Sequence, residues 1–150
     1  RHILPCLGYI SLSEHTIIIT PYLDNGNIAC YIRARPNVDR HLLLLQLADA
    51  VDYLHNVLGI IHGNLKCENI LVSSEGVALL TGFGLCSSVD KVEQGGGTTS
   101  KSVSHHSHTI AFMAPELLLA QDVDEPLEPV EITTASDVFS FGLIIIQVSL

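Results

Sequence analysis

Positive charge is scarce in this sequence. Seven Lys and Arg stand against 16 Asp and Glu, a net charge of −9 over 150 residues. The cations, among them Arg33, Arg35, Arg40, Lys66, Lys91 and Lys101, are scattered along the chain. A nucleic acid partner needs clustered cations to neutralise its phosphates, so neither nucleic acid nor an anionic membrane is an expected partner. The four cysteines, Cys6, Cys30, Cys67 and Cys86, form no C-x-x-C pair, which argues against zinc. Their spread, in a chain showing no secretory signal, fits reduced thiols and a cytoplasmic setting. No apolar run reaches the roughly 18 residues of a membrane span. The start, Arg1-His2-Ile3, has no initiating Met and no charged-then-apolar leader, and reads as the edge of a cut piece. No internal repeat is visible.

What is present is apolar. A hydrophobic fraction of 47% is too high for a disordered chain, and the length suits one domain with one core. Ile3 to Ile10 and His15 to Thr20 are β-branched runs that read as an antiparallel pair. Pro21, which cannot donate to a ladder, ends the second. Asp24 to Asn27 is a turn cluster, and a short helix from Ile28 to Arg33 should stop before Pro36. The clearest helical period runs from Asp39 to Leu58, with Leu43, Leu44, Leu47, Ala48, Val51, Leu54, His55 and Leu58 on one stripe. Asp39 or Asn37 could cap its start, and Gly59 sits where it should end.

Farther on, Ile60-Ile61, Ile70 to Val72 and Val77 to Leu80 read as short buried strands around a polar loop, His62 to Asn69, and a turn, Ser73 to Gly76. Ser87 to Ser107 is rich in Gly, Ser, Thr and His and reads as a long loop. Gln121 to Glu131, acidic and holding Pro126 and Pro129, reads as a second, solvated one. Thr134 to Leu150 opens on a capping-like Ser136-Asp137 and turns strongly apolar, as a buried helix would.

Four segments carry chemistry in a fixed order. His62-Gly63-Asn64-Leu65-Lys66-Cys67-Glu68-Asn69 follows the long helix and is similar to the protein kinase catalytic loop H-R-D-L-x-x-x-N. Gly82-Phe83-Gly84 follows a strand and resembles D-F-G. Thr109 to Glu116 looks like the end of an activation segment, with A-P-E intact. Ser136 to Gly142 is similar to the start of the central helix of the C-terminal lobe. Together they resemble the eukaryotic protein kinases, of serine/threonine or tyrosine-kinase-like type, over nearly the whole chain.

The resemblance implies an incomplete α+β kinase-like fold, mainly helical. Residues 1–23 would end the N-terminal lobe and form the hinge, 24–150 would run through the C-terminal lobe to its central helix, and 82–116 would be the activation segment. Thr20 would be the gatekeeper, Tyr22 and Leu23 would meet adenine through the hinge backbone, and Leu71 would lie under the ring. Lys66, which could equally be a solvated loop lysine, is preferred as a phosphate-facing residue. The Gly-rich loop and the strand lysine of the family would lie before Arg1.

The departures matter more. The family's catalytic-loop acid accepts the substrate hydroxyl's proton, and here the position is Asn64, whose amide offers no carboxylate. Losing a general base costs about 10²–10⁴-fold. The D-F-G acid holds magnesium, and here it is Gly82. Asn69 alone makes a poor magnesium site, because hard cations want charged oxygens. Gly63 replaces the Arg that meets a phosphorylated activation loop in many kinases.

Three functional readings follow: an inactive pseudokinase serving as a protein-binding or allosteric module, with weak ATP binding and no magnesium; a serine/threonine-type kinase that binds ATP and transfers phosphate; or a truncated fragment without function. Asn64 and Gly82 favour the first. Later C-lobe helices or a partner chain are expected to cover the apolar helix from Phe141 to Leu150. His105-His106-Ser107-His108 offers imidazoles, but no nearby Cys or carboxylate completes a metal site. Gly95 to Ser102 nearly matches a phosphate-binding loop, but Ser100 stands where its second Gly belongs, so it reads as a decoy.

Overall fold

A computed structural model describes residues 1–13, 16–89, 110–119 and 131–150. The histidine cluster at 105–108, the decoy at 95–102, Thr109 and the acidic loop up to residue 130 lie outside the described residues.

The architecture is α+β with small two-stranded sheets. Helix α1 (Ile28–Ala34) starts because the Asn27 side chain accepts a bond from the Cys30 N–H, and it buries Ile28, Tyr31 and Ile32. Helix α2 (Arg40–Asp52) is capped by Asp39, whose carboxylate accepts from the Leu42 N–H at 3.0 Å. That bond decides between the two candidate caps. Leu43, Leu47, Ala50 and Val51 form its buried stripe.

The single helix expected to run to Leu58 changes form at its end. Tyr53–Val57 is a π-helical turn, closed by Leu58 N–H to the Tyr53 carbonyl. The wider turn shifts the register, so Leu54 stays buried while Leu58 is exposed. Gly59, at φ +61°, takes the left-handed conformation that ends the segment.

Three strand pairs follow the sequence with adjustments. Strand β1 (Gly8–Ser11) pairs antiparallel with β2 (Thr16–Ile19). The expected first strand, Ile3 to Ile10, is split. Leu4 N–H donates to the Leu80 carbonyl and Ile3 bridges Leu80, whereas bonding to β2 begins with the Leu7 N–H to the Ile19 carbonyl. Pro5, with no N–H, sits at the break. Strand β3 (Ile60–Ile61) pairs with β6 (Ser87–Ser88), so the expected loop from Ser87 begins as strand. Backbone pairing supplies the ladder there without apolar side chains. Strands β4 (Ile70–Val72) and β5 (Ala78–Leu80) form a hairpin that buries Ile70, Val72, Ala78 and Leu80. Gln46 of α2 accepts from the Ala78 N–H at 2.8 Å and pins that hairpin to the helix.

After a short helix α3 (Pro115–Leu119) comes α4 (Thr134–Ser149). Its cap is Thr133, in a reciprocal box with Ser136. The expected cap, Ser136-Asp137, therefore lies inside the first turn, because Thr133 already satisfies the free N–H there and releases Asp137 for another task. Within this chain α4 is not buried all round. Ile144 and Val148 face the core, while Val138, Phe139, Ile145 and Ile146 are exposed, since α1, α2 and the 110–112 turn cover one side only. Arg40 donates to the carbonyls of Val148 and Ser149, at 3.0 and 3.1 Å, and satisfies the helix end. The main core lies between α1, α2, the β4–β5 hairpin and α4, directly beneath the 62–69 loop.

Candidate functional site

The loop from His62 to Asn69 joins β3 to β4 and is anchored from below. Asp137, 2% exposed, accepts three hydrogen bonds: His62 N–H at 2.7 Å, Gly63 N–H at 2.9 Å and His55 Nε2 at 2.8 Å. A carboxylate buried this deeply is tolerable only when its oxygens are satisfied. Those bonds make it the anchor of the loop backbone.

His62 is wholly buried. Its Nε2 faces the Thr81 carbonyl at 2.9 Å, and its Nδ1 faces the Asn64 N–H at 3.2 Å. A carbonyl can only accept and a backbone N–H only donate, so the proton sits on Nε2 and the ring is neutral. Burial pushes its pKa below the usual histidine value, against the opposing pull of the Thr81 carbonyl and Asp137. The Phe83 ring stands edge-on to His62, with centroids 5.1 Å apart.

The upper side of the loop carries the positions where chemistry was expected. Asn64 is half-buried, and its carbonyl accepts from Asn69 Nδ2 at 2.8 Å. Asn69 in turn is tied along the backbone: its N–H donates to the Lys66 carbonyl, and its carbonyl accepts from the Thr81 N–H at 2.9 Å. That bond places Asn69 beside Gly82, which has φ +88°. A Cβ at Gly82 would lie 2.5 Å from the Asn69 Cγ. Lys66 is half-buried in the same loop. The neighbouring Cys67 thiol is buried and faces Gln147 Oε1, and burial, reinforced by Glu68, pushes its pKa up to about 11. It is not a nucleophile at neutral pH.

Asn64, Lys66, Asn69 and Gly82 thus gather in one place. Leu71 follows on β4, half-buried and bridged to Asn27. Thr20 and Tyr22 stand apart: both are exposed, Tyr22 to 88%, and neither hydrogen-bonds to the loop among the described residues. The Leu23 carbonyl closes the turn with the Gly26 N–H.

The sequence reading missed Asp137, His55 and Ile132. Asp137 could have been suspected as a carboxylate opening an apolar helix. His55 gave no signal beyond its place on the stripe. Ile132 packs with the Met113, Ala114 and Leu117 cluster, and its Cδ1 lies 2.5 Å from where a Cβ on Gly63 would be. On the loop's outer face, Asn64, Lys66, Phe112, Met113, Leu117 and Ser140 line an open pocket. Ser140 holds that wall by donating to the Phe112 carbonyl at 2.6 Å.

Chemically, the upper site is an amide pair and a lysine. Asn64 and Asn69 are amides and offer no carboxylate, the charged oxygen that magnesium favours. Among the described residues no three His, Cys, Asp or Glu side chains are grouped to hold a metal ion, and no helix is long and apolar enough to cross a membrane.

Comparison with known proteins places the chain in a family. The family model for protein tyrosine and serine/threonine kinases matches residues 1–149. The chain is 28% identical to the LRR receptor-like serine/threonine-protein kinase RGI5 of Arabidopsis thaliana, covering 99% of this chain and 13% of that protein. It is 28% identical to the serine/threonine-protein kinase-like protein CCR4 of the same plant, over 98% of this chain and 19% of the relative. It is 27% identical to the mitogen-activated protein kinase kinase kinase dlk-1 of Caenorhabditis elegans, over 97% and 14%. The chain thus spans less than a fifth of each of these relatives' lengths. With that model matched over nearly its whole length, the chain belongs to the protein tyrosine and serine/threonine kinase family.

Proposed function

We propose that this kinase-family chain is an inactive, protein-binding or allosteric signalling module of the pseudokinase type. The observation that carries this reading is the paired loss at Asn64 and Gly82, with Asn69 Nδ2 bonded to the Asn64 carbonyl beside them. The proton acceptor and the main metal ligand of phosphoryl transfer are both replaced by groups that can do neither task. Incubation with radiolabelled ATP and a generic acceptor protein should give no incorporation above a Lys66→Ala control. Turnover above that control sinks the reading.

Any adenine contact is placed at the Tyr22 and Leu23 backbone over Leu71. Such binding is weak and indifferent to magnesium, because no carboxylate couples metal to phosphate. In calorimetric titrations with ATP, magnesium should leave the affinity unchanged; a tenfold gain, about 1.4 kcal/mol, contradicts this. Protein partners are favoured by the apolar surface displayed on β1, β2 and α4, including Tyr9, Ile18, Phe139 and Ile146. Those partners are either further parts of the same protein or a second chain. A cytoplasmic setting is part of the proposal, supported by cysteines that stand as thiols with no disulfide among the described residues. The competing reading, an active serine/threonine kinase, draws on the retained Lys66 and Asn69 and on relatives whose names say kinase. The labelling experiment separates the two.

A further inference from the structure

We propose that the Asn25-Gly26 turn is a modification site: Asn25 deamidates spontaneously to aspartate or isoaspartate when the turn opens, and the acid so formed cannot be stitched back onto β4. Asparagine is a thermolabile residue, and the residue after it sets how readily its side chain is attacked. The six asparagines are Asn25, Asn27, Asn37, Asn56, Asn64 and Asn69. Five are followed by Ile, Val or Leu, whose branched side chains shield the next peptide nitrogen. Asn25 alone is followed by Gly, which has no side chain to obstruct the approach. The first step is a cyclisation. The Gly26 nitrogen bonds to the Asn25 Cγ, the C–N bond of the side-chain amide breaks, and ammonia leaves with the proton given up by the Gly26 nitrogen. Water then adds to either carbonyl of the cyclic imide. The net change is amide plus water to acid plus ammonia, with no oxidant or reductant.

The folded turn withholds both reacting groups. The Asn25 Nδ2 donates to the Ser73 carbonyl at 2.6 Å, and the Gly26 N–H donates to the Leu23 carbonyl at 3.1 Å. Gly26 is held at φ +66°, its carbonyl accepts from the Val72 N–H at 3.0 Å, and Asn27 bridges Leu71. Cyclisation needs the Asn25 and Gly26 donors released, so it waits for local opening. The product differs from the parent in one respect that matters. A carboxylate is acceptor-only, and at position 25 it faces the Ser73 carbonyl, another acceptor. The exchange turns a hydrogen bond into a repulsion. Because this bond and its neighbours tie the turn to β4 beside Leu71, each conversion loosens that junction in one direction only.

The test incubates the chain at mildly alkaline pH, folded in buffer and unfolded in urea, and follows the amide-to-acid mass gain by peptide mapping. In urea the conversion should fall first on Asn25. The folded chain should convert at least about tenfold more slowly, as local opening requires. Conversion led by another asparagine, or equal rates in the two states, overturns the proposal. A second arm reads the consequence. Asn25→Asp should lower Tm by at least about 3 °C, and by more than Asn25→Ala, which loses the bond without gaining the repulsion. Loss of a cooperative melt in Asn25→Asp counts as such a drop. A smaller shift, or an Asn25→Ala variant that melts lower, overturns the one-way loosening. Neither arm depends on whether the chain transfers phosphate.

Discussion

His55, His62 and Asp137 anchor the 62–69 loop on its buried side, and Asn64, Asn69 and Gly82 lie along its upper side. In the lower group His62 and Asp137 are buried and His55 is partly so, and they meet partners at 2.7 to 3.2 Å. The upper group is half-buried, neutral and amide-based. In an active kinase both groups would be polar for different reasons, one to hold the loop and the other to react. Here the holding group is present, and Asn64 and Gly82 stand at the two positions where the family has acids. A folded, correctly shaped loop therefore says nothing about turnover, because none of the bonds described for it needs a carboxylate at position 64 or 82.

Removing the anchor is the severest way to break this comparison. Asp137→Ala leaves the N–H groups of His62 and Gly63 and the Nε2 of His55 without their acceptor. At about 1–3 kcal/mol for each unsatisfied buried group, the loss should reach about 3 kcal/mol or more, read as a drop in urea midpoint at constant slope. An unchanged midpoint would mean that the loop is held by something else.

Gly63→Ala should cost less, about 1–3 kcal/mol, from φ +73° and a 3.1 Å approach to the Leu85 carbonyl. Ile132→Ala in the same chain should recover only part of that loss, since the carbonyl stays where it is.

Acid provides a gentler probe. The His62 pKa is lowered in the folded state, so below the ordinary value of 6.5 the unfolded chain binds a proton that the folded chain refuses. Stability should be level above pH 6.5 and fall as pH drops below it, and His62→Gln should flatten that slope. A slope of the opposite sign would mean that the buried ring carries charge.

The smallest effect is expected on the upper side. Asn64→Asp should shift stability by less than about 0.5 kcal/mol, because the hydrogen bonds at this residue are made by its backbone. It should also restore no phosphate transfer, since residue 82 still contributes no carboxylate. Measurable incorporation from that single change would erase the distinction between the two sides.

The sequence made much of this legible, and for physical reasons. The α2 stripe and the β4–β5 hairpin follow from periodicity and local turn chemistry, which act over a few residues, while the order of loop, glycine-flanked Phe83 and apolar helix was read from the resemblance to the kinase family. What was not legible acts at a distance or by shape. Asp137 read as a helix cap because nothing near it in the chain announces partners 74 and 75 residues away. The π turn at Tyr53–Val57 carries no spacing of its own, yet it puts His55 against Asp137. Gly63 read as a missing side chain, and only coordinates could tell that Ile132 stands in its place.

The bond from Arg40 to the last turn of α4 spans 108 residues, which has a kinetic meaning. Closing so long a segment carries more entropy loss than closing the few residues of the β4–β5 turn, by about (3/2)RT times the logarithm of the length ratio. Contacts of this span are poor nuclei, since the ordering cost falls due before they return anything. Arg40 should therefore engage after α2 and the hairpin have assembled, too late to hasten folding. Truncating it to Ala should leave the refolding rate nearly unchanged and speed unfolding instead. The guanidinium thus works as a late latch, setting how long the folded chain persists rather than how soon it is reached.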